Sequence, residues 1–182
     1  MNNRRSIRLK EYDYSSYGYY FVTICTYEHR NLFGIVKNEK VELNPLGNIV
    51  LEEWLNSTKI RKEISYNEYV IMPNHMHAIV IIDNPQPQIK SDSSKKIKKQ
   101  LSGCPAKSLS AFISGFKSAV TIKARNLSGL KLVIWQRNYY EHIIRNEKEL
   151  YLIQQYIETN PAKWELDRYY SHEEDIVKLF NM

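Results

Sequence analysis

The sequence predicts a single α+β domain, built as an antiparallel sheet with helices on one side. The predicted elements follow the order strands, helix, strands, helix, strand, helix, with no internal repeat. Hydrophobic residues are 43% of the 182 residues and aromatic residues 12%, which is enough for a core. No run approaches the ~18–20 apolar residues of a membrane span. This length has room for one domain, so we treat residues 1–182 as one unit.

Short patterns predict the elements of the first half. Residues 19–27 are β-branched and aromatic, which is typical of a buried strand. Residues 33–36 and 41–43 flank a polar tetrapeptide and predict a hairpin. Asn44 and Pro45 match a helix N-cap followed by proline at the first helical position. An apolar stripe then continues this helix to about residue 61.

Two strands and a loop follow. Residues 66–72 and 75–82 predict strands joined tightly by Pro73 and Asn74. Residues 84–106 contain two prolines, a serine-rich run and lysine pairs, so we expect a flexible basic loop within the domain.

The last predicted elements are two helices and a short strand. Ser108 caps a helix whose buried stripe comprises Leu109, Phe112, Ile113, Phe116 and Val120. Residues 132–135 predict a short strand. Asn146 and Glu149 resemble a capping box that begins a third helix, and Pro161 ends that helix after Asn160.

Positive charge is concentrated in the centre of the chain. The formal net charge is +6, yet residues 84–131 contain ten lysines and arginines against one aspartate. A localised basic patch attracts a polyanion such as a nucleic acid. A solvated lysine-rich loop explains the same composition, so charge alone leaves both interpretations open.

The two cysteines, Cys25 and Cys104, are single and far apart. This excludes a disulfide scaffold and a cysteine zinc site, and it fits a reducing cytosol. Residues 1–10 are basic and no apolar segment follows, so we expect no secretory signal and a cytoplasmic protein.

His75 and His77 lie on a predicted strand. Side chains two apart on a strand project from the same face, so both imidazoles point to one place. Imidazoles suit a divalent metal. Two polar residues at the end of a strand are the alternative explanation.

A third ligand and a reactive group are available on the third helix. Tyr156 and Asn160 are four residues apart and share a helical face, next to a core-facing stripe that places Tyr156 at the edge of the buried surface. A phenol can attack a phosphodiester if a metal polarises the phosphate. With 14 tyrosines in the chain, a packing role for Tyr156 is the alternative. Tyr151 and Tyr169 are expected to lie away from this site.

Three blocks of the sequence together resemble one family. Residues 72–77, Met-Pro-Asn-His-Met-His, look like the histidine–hydrophobic–histidine motif of single-tyrosine transposases. Residues 135–145 and 156–161 look like the later blocks of the REP-associated tyrosine transposases, a domesticated branch of the IS200-like transposases. The resemblance runs from about residue 19 to residue 164.

This resemblance implies a ferredoxin-like α+β fold, known as the HUH nuclease fold, and an enzyme that cuts and rejoins hairpin-bearing single-stranded DNA with Mg²⁺ or Mn²⁺. It implies that His75 and His77 ligate the metal and that Tyr156 forms a covalent 5′-phosphotyrosine. Asn160 becomes the third ligand, where mobile relatives often carry glutamine. Family members act either as dimers or as monomers, so the oligomeric state stays open.

The resemblance also implies a positive groove with stacking surfaces for a single strand. Tyr139 and Tyr140 are candidates for base stacking, and Trp135 is either a third or a core residue. Arg145 either contacts a phosphate or pairs with Glu141 on one helical face. The complete set of candidate DNA-binding residues is Lys95, Lys96, Lys98, Lys99, Lys117, Lys123, Arg125, Tyr139, Tyr140, His142 and Arg145.

Two functions from different classes therefore remain. The first is a single-tyrosine transposase, an endonuclease of DNA transposition and recombination. The second is a non-catalytic protein of the same fold that binds structured single strands. A hydrolase with metal-activated water ranks last, because the motifs contain no carboxylate partner. For the enzyme, we expect activity to fall below about pH 6, where free histidines become protonated.

Overall fold

The structure is a computed structural model, and it describes residues 12–83, 107–129 and 132–170. The described chain forms strands, helices and two short 3₁₀ helices, Tyr27–His29 and Pro161–Leu166. The strands and helices in chain order are β1 (Gly18–Cys25), β2 (Gly34–Lys37), β3 (Lys40–Leu43), α1 (Pro45–Ile60), β4 (Ile64–Ile71), β5 (His75–Ile82), α2 (Leu109–Ser128), β6 (Tyr140–Ile144) and α3 (Glu147–Thr159).

The main sheet has four strands in the order β4-β5-β1-β6, and all neighbours are antiparallel. Strands β2 and β3 form a separate hairpin, as expected. The two central strands, β1 and β5, are paired along their whole length, with Thr23 opposite His77 and Cys25 opposite His75. The predicted α+β class and antiparallel sheet are therefore confirmed.

Helices cover both faces of this sheet, which corrects the expectation of helices on one side. Tyr20, Val22 and Ile24 project from β1 into the main core, which they share with α1 and α2. The alternate residues of β1 and β5 project the other way, where Ile79 packs against Ile157 of α3. The amphipathic pattern of α3 reveals that one stripe is buried, but it carries no information about which face of the sheet covers that stripe.

Side-chain caps define where the helices begin. Asn44 accepts a hydrogen bond from the Gly47 N–H at 2.9 Å, and Ser108 caps α2 in the same way. Asn146 accepts from the Glu149 N–H at 2.9 Å. The Glu149 carboxylate accepts from the N–H of Arg145, one residue before the cap, rather than closing the reciprocal bond of a capping box.

Two predictions near residue 140 are wrong. Residues 132–135 form no strand, and Trp135 makes only an isolated bridge to Thr26. The edge strand is β6, which was missed because its residues stand between two stronger motifs. Glu141 and Arg145 therefore do not share a helical face. Trp135 is a core residue, 9% exposed and packed against the rings of Phe33 and Phe116.

The described helices include none that is long and apolar enough to cross a bilayer. Cys25 is a buried free thiol. The basic loop expected at 84–106, with Lys95, Lys96, Lys98, Lys99 and Cys104, lies outside the described residues.

Candidate metal and nucleophile site

His75 and His77 lie at the start of β5 on the face that α3 covers. Both are buried, and their ring centroids are 4.5 Å apart. Their position follows from strand alternation, as the sequence predicted. Two imidazoles are thus held side by side by the backbone of a central strand.

A hydrogen bond to an acceptor assigns the proton on the His75 imidazole. His75 Nδ1 lies 2.8 Å from Asn74 Oδ1, an atom that can only accept, so Nδ1 carries the proton. His75 Nε2 is buried and has no hydrogen-bond partner among the described residues. His77 Nδ1 lies 2.9 Å from Thr23 Oγ1, and its Nε2 lies 3.1 Å from the Tyr156 hydroxyl. Each histidine thus offers a ring nitrogen, and these lie within 4.8 Å of each other.

Burial keeps both imidazoles neutral. Loss of solvent, with His29 as the second cause, lowers the pKa of His75 to about 3. Burial likewise lowers the pKa of His77 well below its ordinary value, with His75 as the second cause. Neutral imidazole is the form that binds a metal, so the pair needs no deprotonation at neutral pH.

Asn74 connects the histidine pair to other parts of the chain. Its side-chain nitrogen donates to the carbonyl oxygens of His29, at 2.9 Å, and Tyr169, at 2.7 Å. These two acceptors fix the orientation of the amide and aim Oδ1 at His75. Asn74 is fully buried, so it positions the imidazole and also holds the segment around Tyr169 against the site.

Tyr156 stands at the rim of the same site. Ile157 is buried between α3 and the sheet. The side chain of Tyr156, one residue earlier, therefore lies at the boundary of the buried surface and is 42% exposed. Burial, with the nearby Asp167 carboxylate as the second cause, raises the pKa of Tyr156 to about 12. The phenol therefore stays protonated at neutral pH, and it donates to His77 Nε2 when the His77 proton is on Nδ1, beside Thr23.

Asn160 and Asp167 complete the polar lining. Asn160 is 3% exposed, and its amide nitrogen donates to Asp167 Oδ2 at 3.1 Å. Asn160 Oδ1 is buried without a hydrogen-bond partner in the described part of the chain. Asp167, His75 and His77 each offer a ligand atom within 4.8 Å of one another. Asp167 was not among the residues predicted from the sequence, whose motifs contain no carboxylate partner, and the structure corrects this expectation.

These residues fit a divalent cation. The set combines two neutral imidazole nitrogens with a carboxylate oxygen, donors that divalent metals accept. Two further observations agree: His75 Nε2 and Asn160 Oδ1 are both buried polar atoms without protein partners among the described residues. Such atoms are costly in a folded protein unless a ligand or water satisfies them.

The chain resembles known proteins in sequence and in fold. No family model matches the chain. An uncharacterized protein of Haemophilus influenzae (strain ATCC 51907 / DSM 11121 / KW20 / Rd) is 42% identical over 174 residues, covering 93% of this chain and 94% of that protein. The chain belongs to the family of that Haemophilus protein. A solved REP-associated tyrosine transposase, described as bound to a REP hairpin, superimposes with a TM-score of 0.52 at 24% identity, over 85% of this chain and 74% of that one.

The REP-associated tyrosine transposase fold confirms the resemblance predicted from the three sequence blocks, at the level of architecture. Within this fold, the four candidates His75, His77, Tyr156 and Asn160 meet in one place. Their individual roles stay predictions. Tyr151 is exposed and lies away from the histidines, as expected.

The expectation that Tyr169 lies away from this site is wrong. Its ring centroid is 4.9 Å from that of His75 and 5.1 Å from that of His29, nearly parallel to the latter. After Pro161 the chain turns back towards the histidines. The helical periodicity ends at this proline, so the sequence pattern does not predict where the following residues lie. Asp167 was missed for the same reason.

The predicted DNA-binding residues of β6 and its surroundings lie at different distances from the histidine pair, and Tyr140 stands next to it. Tyr140 of β6 stands opposite Thr23, the hydrogen-bond partner of His77, and is half-buried. His142 forms a 2.6 Å contact with Glu149. Arg145 is exposed at the end of β6. Tyr139 packs against the main core instead. Their contact with DNA stays a prediction.

The lysines of α2 lie on the opposite face of the sheet, because α2 packs in the main core. The Lys117 ammonium donates to the Gln136 carbonyl at 2.6 Å, and burial lowers its pKa to about 8. Lys123 forms ion pairs with Glu52 and Glu53. Arg125 is exposed. No contact between these three residues and the histidine pair is present in the described part of the chain, although Lys117 lies near enough to Cys25, the strand partner of His75, to interact with it electrostatically.

Proposed function

We propose that this protein is a metal-dependent single-strand DNA endonuclease and transposase that cuts and rejoins hairpin-bearing DNA. The proposed intermediate is a 5′-phosphotyrosine on Tyr156. The proposed setting is the cytoplasm, and the proposed metal is Mg²⁺ or Mn²⁺. The solved transposase of similar fold is described as bound to a hairpin of its DNA, which supports a structured single strand as the substrate.

The observation that carries this proposal is the 3.1 Å contact between the Tyr156 hydroxyl and His77 Nε2. It brings the hydroxyl of a partly exposed tyrosine, a group that can act as a nucleophile, to the buried histidine pair. Packing of the Tyr156 ring alone does not require its hydroxyl to contact this histidine pair, in which His75 Nε2 has no hydrogen-bond partner among the described residues. Covalent attack by a tyrosine keeps the energy of the phosphodiester in a phosphotyrosine ester, so rejoining needs no nucleotide cofactor.

His75, His77 and Asp167 are the residues proposed to hold the metal, with Asn160 Oδ1 beside them. A bound divalent cation supplies Lewis-acid stabilisation of the charge that develops on a phosphate. The protein residues orient the ligands, present the nucleophile and exclude water. Asn74 and Thr23 orient the imidazoles, α3 presents Tyr156 from the rim, and the buried walls exclude water from the imidazole side.

The test is formation of a covalent adduct. Purified protein is incubated with Mn²⁺ and a single-stranded oligonucleotide that carries one palindromic hairpin, and adducts are resolved on a denaturing gel. Wild-type protein should yield an adduct that EDTA prevents. Tyr156→Phe removes one oxygen and should abolish the adduct while leaving oligonucleotide binding unchanged.

Tyr151→Phe is the matched control, because Tyr151 is on the same helix but exposed and distant from the histidines. It should form the adduct at the wild-type level. Peptide mapping should locate the nucleotide on Tyr156, and a nucleotide on another tyrosine would contradict the assignment. Oligonucleotide binding without any adduct would favour the non-catalytic binding protein.

A further inference from the structure

We propose that the Arg168 guanidinium binds the phosphate that is cut, an inference that rests on the proposed function and adds a substrate contact to it. Arg168 directly follows Asp167, on the turn after the short helix Pro161–Leu166. It was not among the residues that the sequence motifs indicated. Its place in the fold, its free donors and its charge each support this role.

The guanidinium is located by two aromatic rings. Its carbon lies 4.5 Å from the centre of the Tyr169 ring and 6.0 Å from the centre of the Tyr140 ring. The Tyr169 ring lies tilted against that of His75, with centroids 4.9 Å apart, and Tyr140 stands opposite Thr23, the partner of the second histidine. The exposed cation therefore lies near two rings that are themselves close to the histidine pair.

Most donors of this guanidinium remain available. Arg168 is exposed, and its only hydrogen bond within the described residues goes to the Tyr169 hydroxyl. In the same part of the chain it forms no ion pair, whereas Arg61 is bound to Glu63 and Lys123 to two glutamates. A guanidinium has five N–H donors in a planar fork that matches two phosphate oxygens.

Electrostatics within the site are consistent with this position. Burial and the Asp167 carboxylate raise the pKa of Tyr156, and the positive charge of Arg168 is the first influence that opposes them. Arg168 is therefore near enough to the candidate nucleophile to act on it electrostatically.

The reaction needs a cation at this point. The Tyr156 oxygen forms a bond to phosphorus while the bond from phosphorus to the 3′-oxygen breaks. The phenol proton passes to solvent, and the leaving 3′-oxygen takes a proton from solvent. Negative charge grows on the non-bridging phosphate oxygens in the transition state, and a prearranged guanidinium stabilises it.

The first experiment measures DNA binding without metal. Affinity for a palindrome-bearing single-stranded oligonucleotide is measured in EDTA as a function of salt for the wild type, Arg168→Ala and Lys59→Ala. Lys59 lies at the far end of α1, on the opposite face of the sheet, and controls for net charge. Arg168→Ala should flatten the logarithmic salt slope by about 0.7, the value for one lost phosphate contact, and Lys59→Ala should not. An unchanged slope for Arg168→Ala overturns the proposal, whether or not the protein cuts DNA.

The second experiment tests whether the phosphate that Arg168 binds is the one that is cut. With Mn²⁺, Arg168→Ala should lower the single-turnover cleavage rate by about 10²-fold at saturating oligonucleotide. Added guanidinium chloride should restore part of this rate, which a structural role for Arg168 does not predict. Cleavage by Arg168→Ala at the wild-type rate, or an equal loss of Mn²⁺ affinity, would overturn the proposal. If the wild type does not cut, the proposed function fails separately, and the salt slope still decides the phosphate contact.

Discussion

Acid should destabilise the metal-free protein through its two buried histidines. A group whose pKa is lower in the folded than in the unfolded state binds fewer protons when folded, so stability falls as the pH decreases. For His75 the loss begins near the ordinary value of 6.5 and continues towards about 3. His77 behaves in the same way, because burial lowers its pKa well below 6.5.

The magnitude follows from linkage. Between pH 7.5 and pH 5.5, a histidine that stays neutral when folded and titrates normally when unfolded loses about 1.4 kcal/mol. Two such histidines together lose about 2.7 kcal/mol over that interval. For a protein of this size, this corresponds to a fall in Tm of about 5–11 °C.

The assay is urea unfolding in EDTA at both pH values, for the wild type and for the double variant His75→Asn/His77→Asn. Asparagine keeps a donor where each ring Nδ1 stands, facing Asn74 and Thr23. Other groups titrate equally in both proteins, so the difference between their pH dependences isolates the histidines. The reasoning is refuted if the double variant loses as much stability as the wild type.

The same burial revises the expected pH dependence of metal binding. The sequence suggested a decline below about pH 6, as for exposed imidazoles. Folded His75 has a pKa of about 3, so protons compete weakly for its Nε2 at pH 5.5. Mn²⁺ affinity measured by calorimetry should therefore change little between pH 7.5 and pH 5.5. A loss with a midpoint near 6.5 would show that the site is open to solvent.

Four other results are expected. Asp167→Asn should weaken Mn²⁺ binding by about 10–100-fold in calorimetry, whereas Glu158→Gln, an exposed carboxylate on α3, should not. Asn74→Ala should cost about 1–3 kcal/mol in urea unfolding, because it leaves the His75 N–H and two carbonyls without their partner, and equal stability would contradict this. Trp54→Ala should cost about 3–5 kcal/mol because Trp54 is 1% exposed in the main core, and a smaller loss would mean that the core recloses. Replacing Lys95, Lys96, Lys98 and Lys99 together should flatten the salt dependence of single-strand binding, and an unchanged slope would mean that they do not contact DNA.

Local periodicity explains which parts of the site the sequence could predict. Strand alternation places His75 and His77 on one face whatever the rest of the chain does. Helical spacing brings Tyr156 and Asn160 together, and the side-chain caps of Asn44 and Asn146 begin helices at the expected positions. Each of these inferences needs only neighbours within one or two turns.

The missing parts depend on tertiary contacts. Asp167 follows a short 3₁₀ helix, and its carboxylate accepts hydrogen bonds from the Asn160 amide and the Tyr169 N–H. No repeating sequence pattern predicts these contacts. The face of the sheet that α3 covers is likewise decided by packing, through Ile157 against Ile79. That packing buries the two histidines and so lowers their pKa, and neither the burial nor the low pKa could be predicted from the sequence.

The order in which the site's parts leave the ribosome has a consequence for the cell. Both histidines are made early, but the tyrosine that contacts His77 comes 79 residues later, and the Asn74 amide waits 95 residues for the Tyr169 carbonyl. The strands β1 and β5 are therefore synthesised well before Tyr156, the proposed nucleophile. On the proposed function, a chain that ends before residue 156 lacks the nucleophile and is expected not to cut DNA. The proposed nicking activity therefore requires a chain whose synthesis has passed α3.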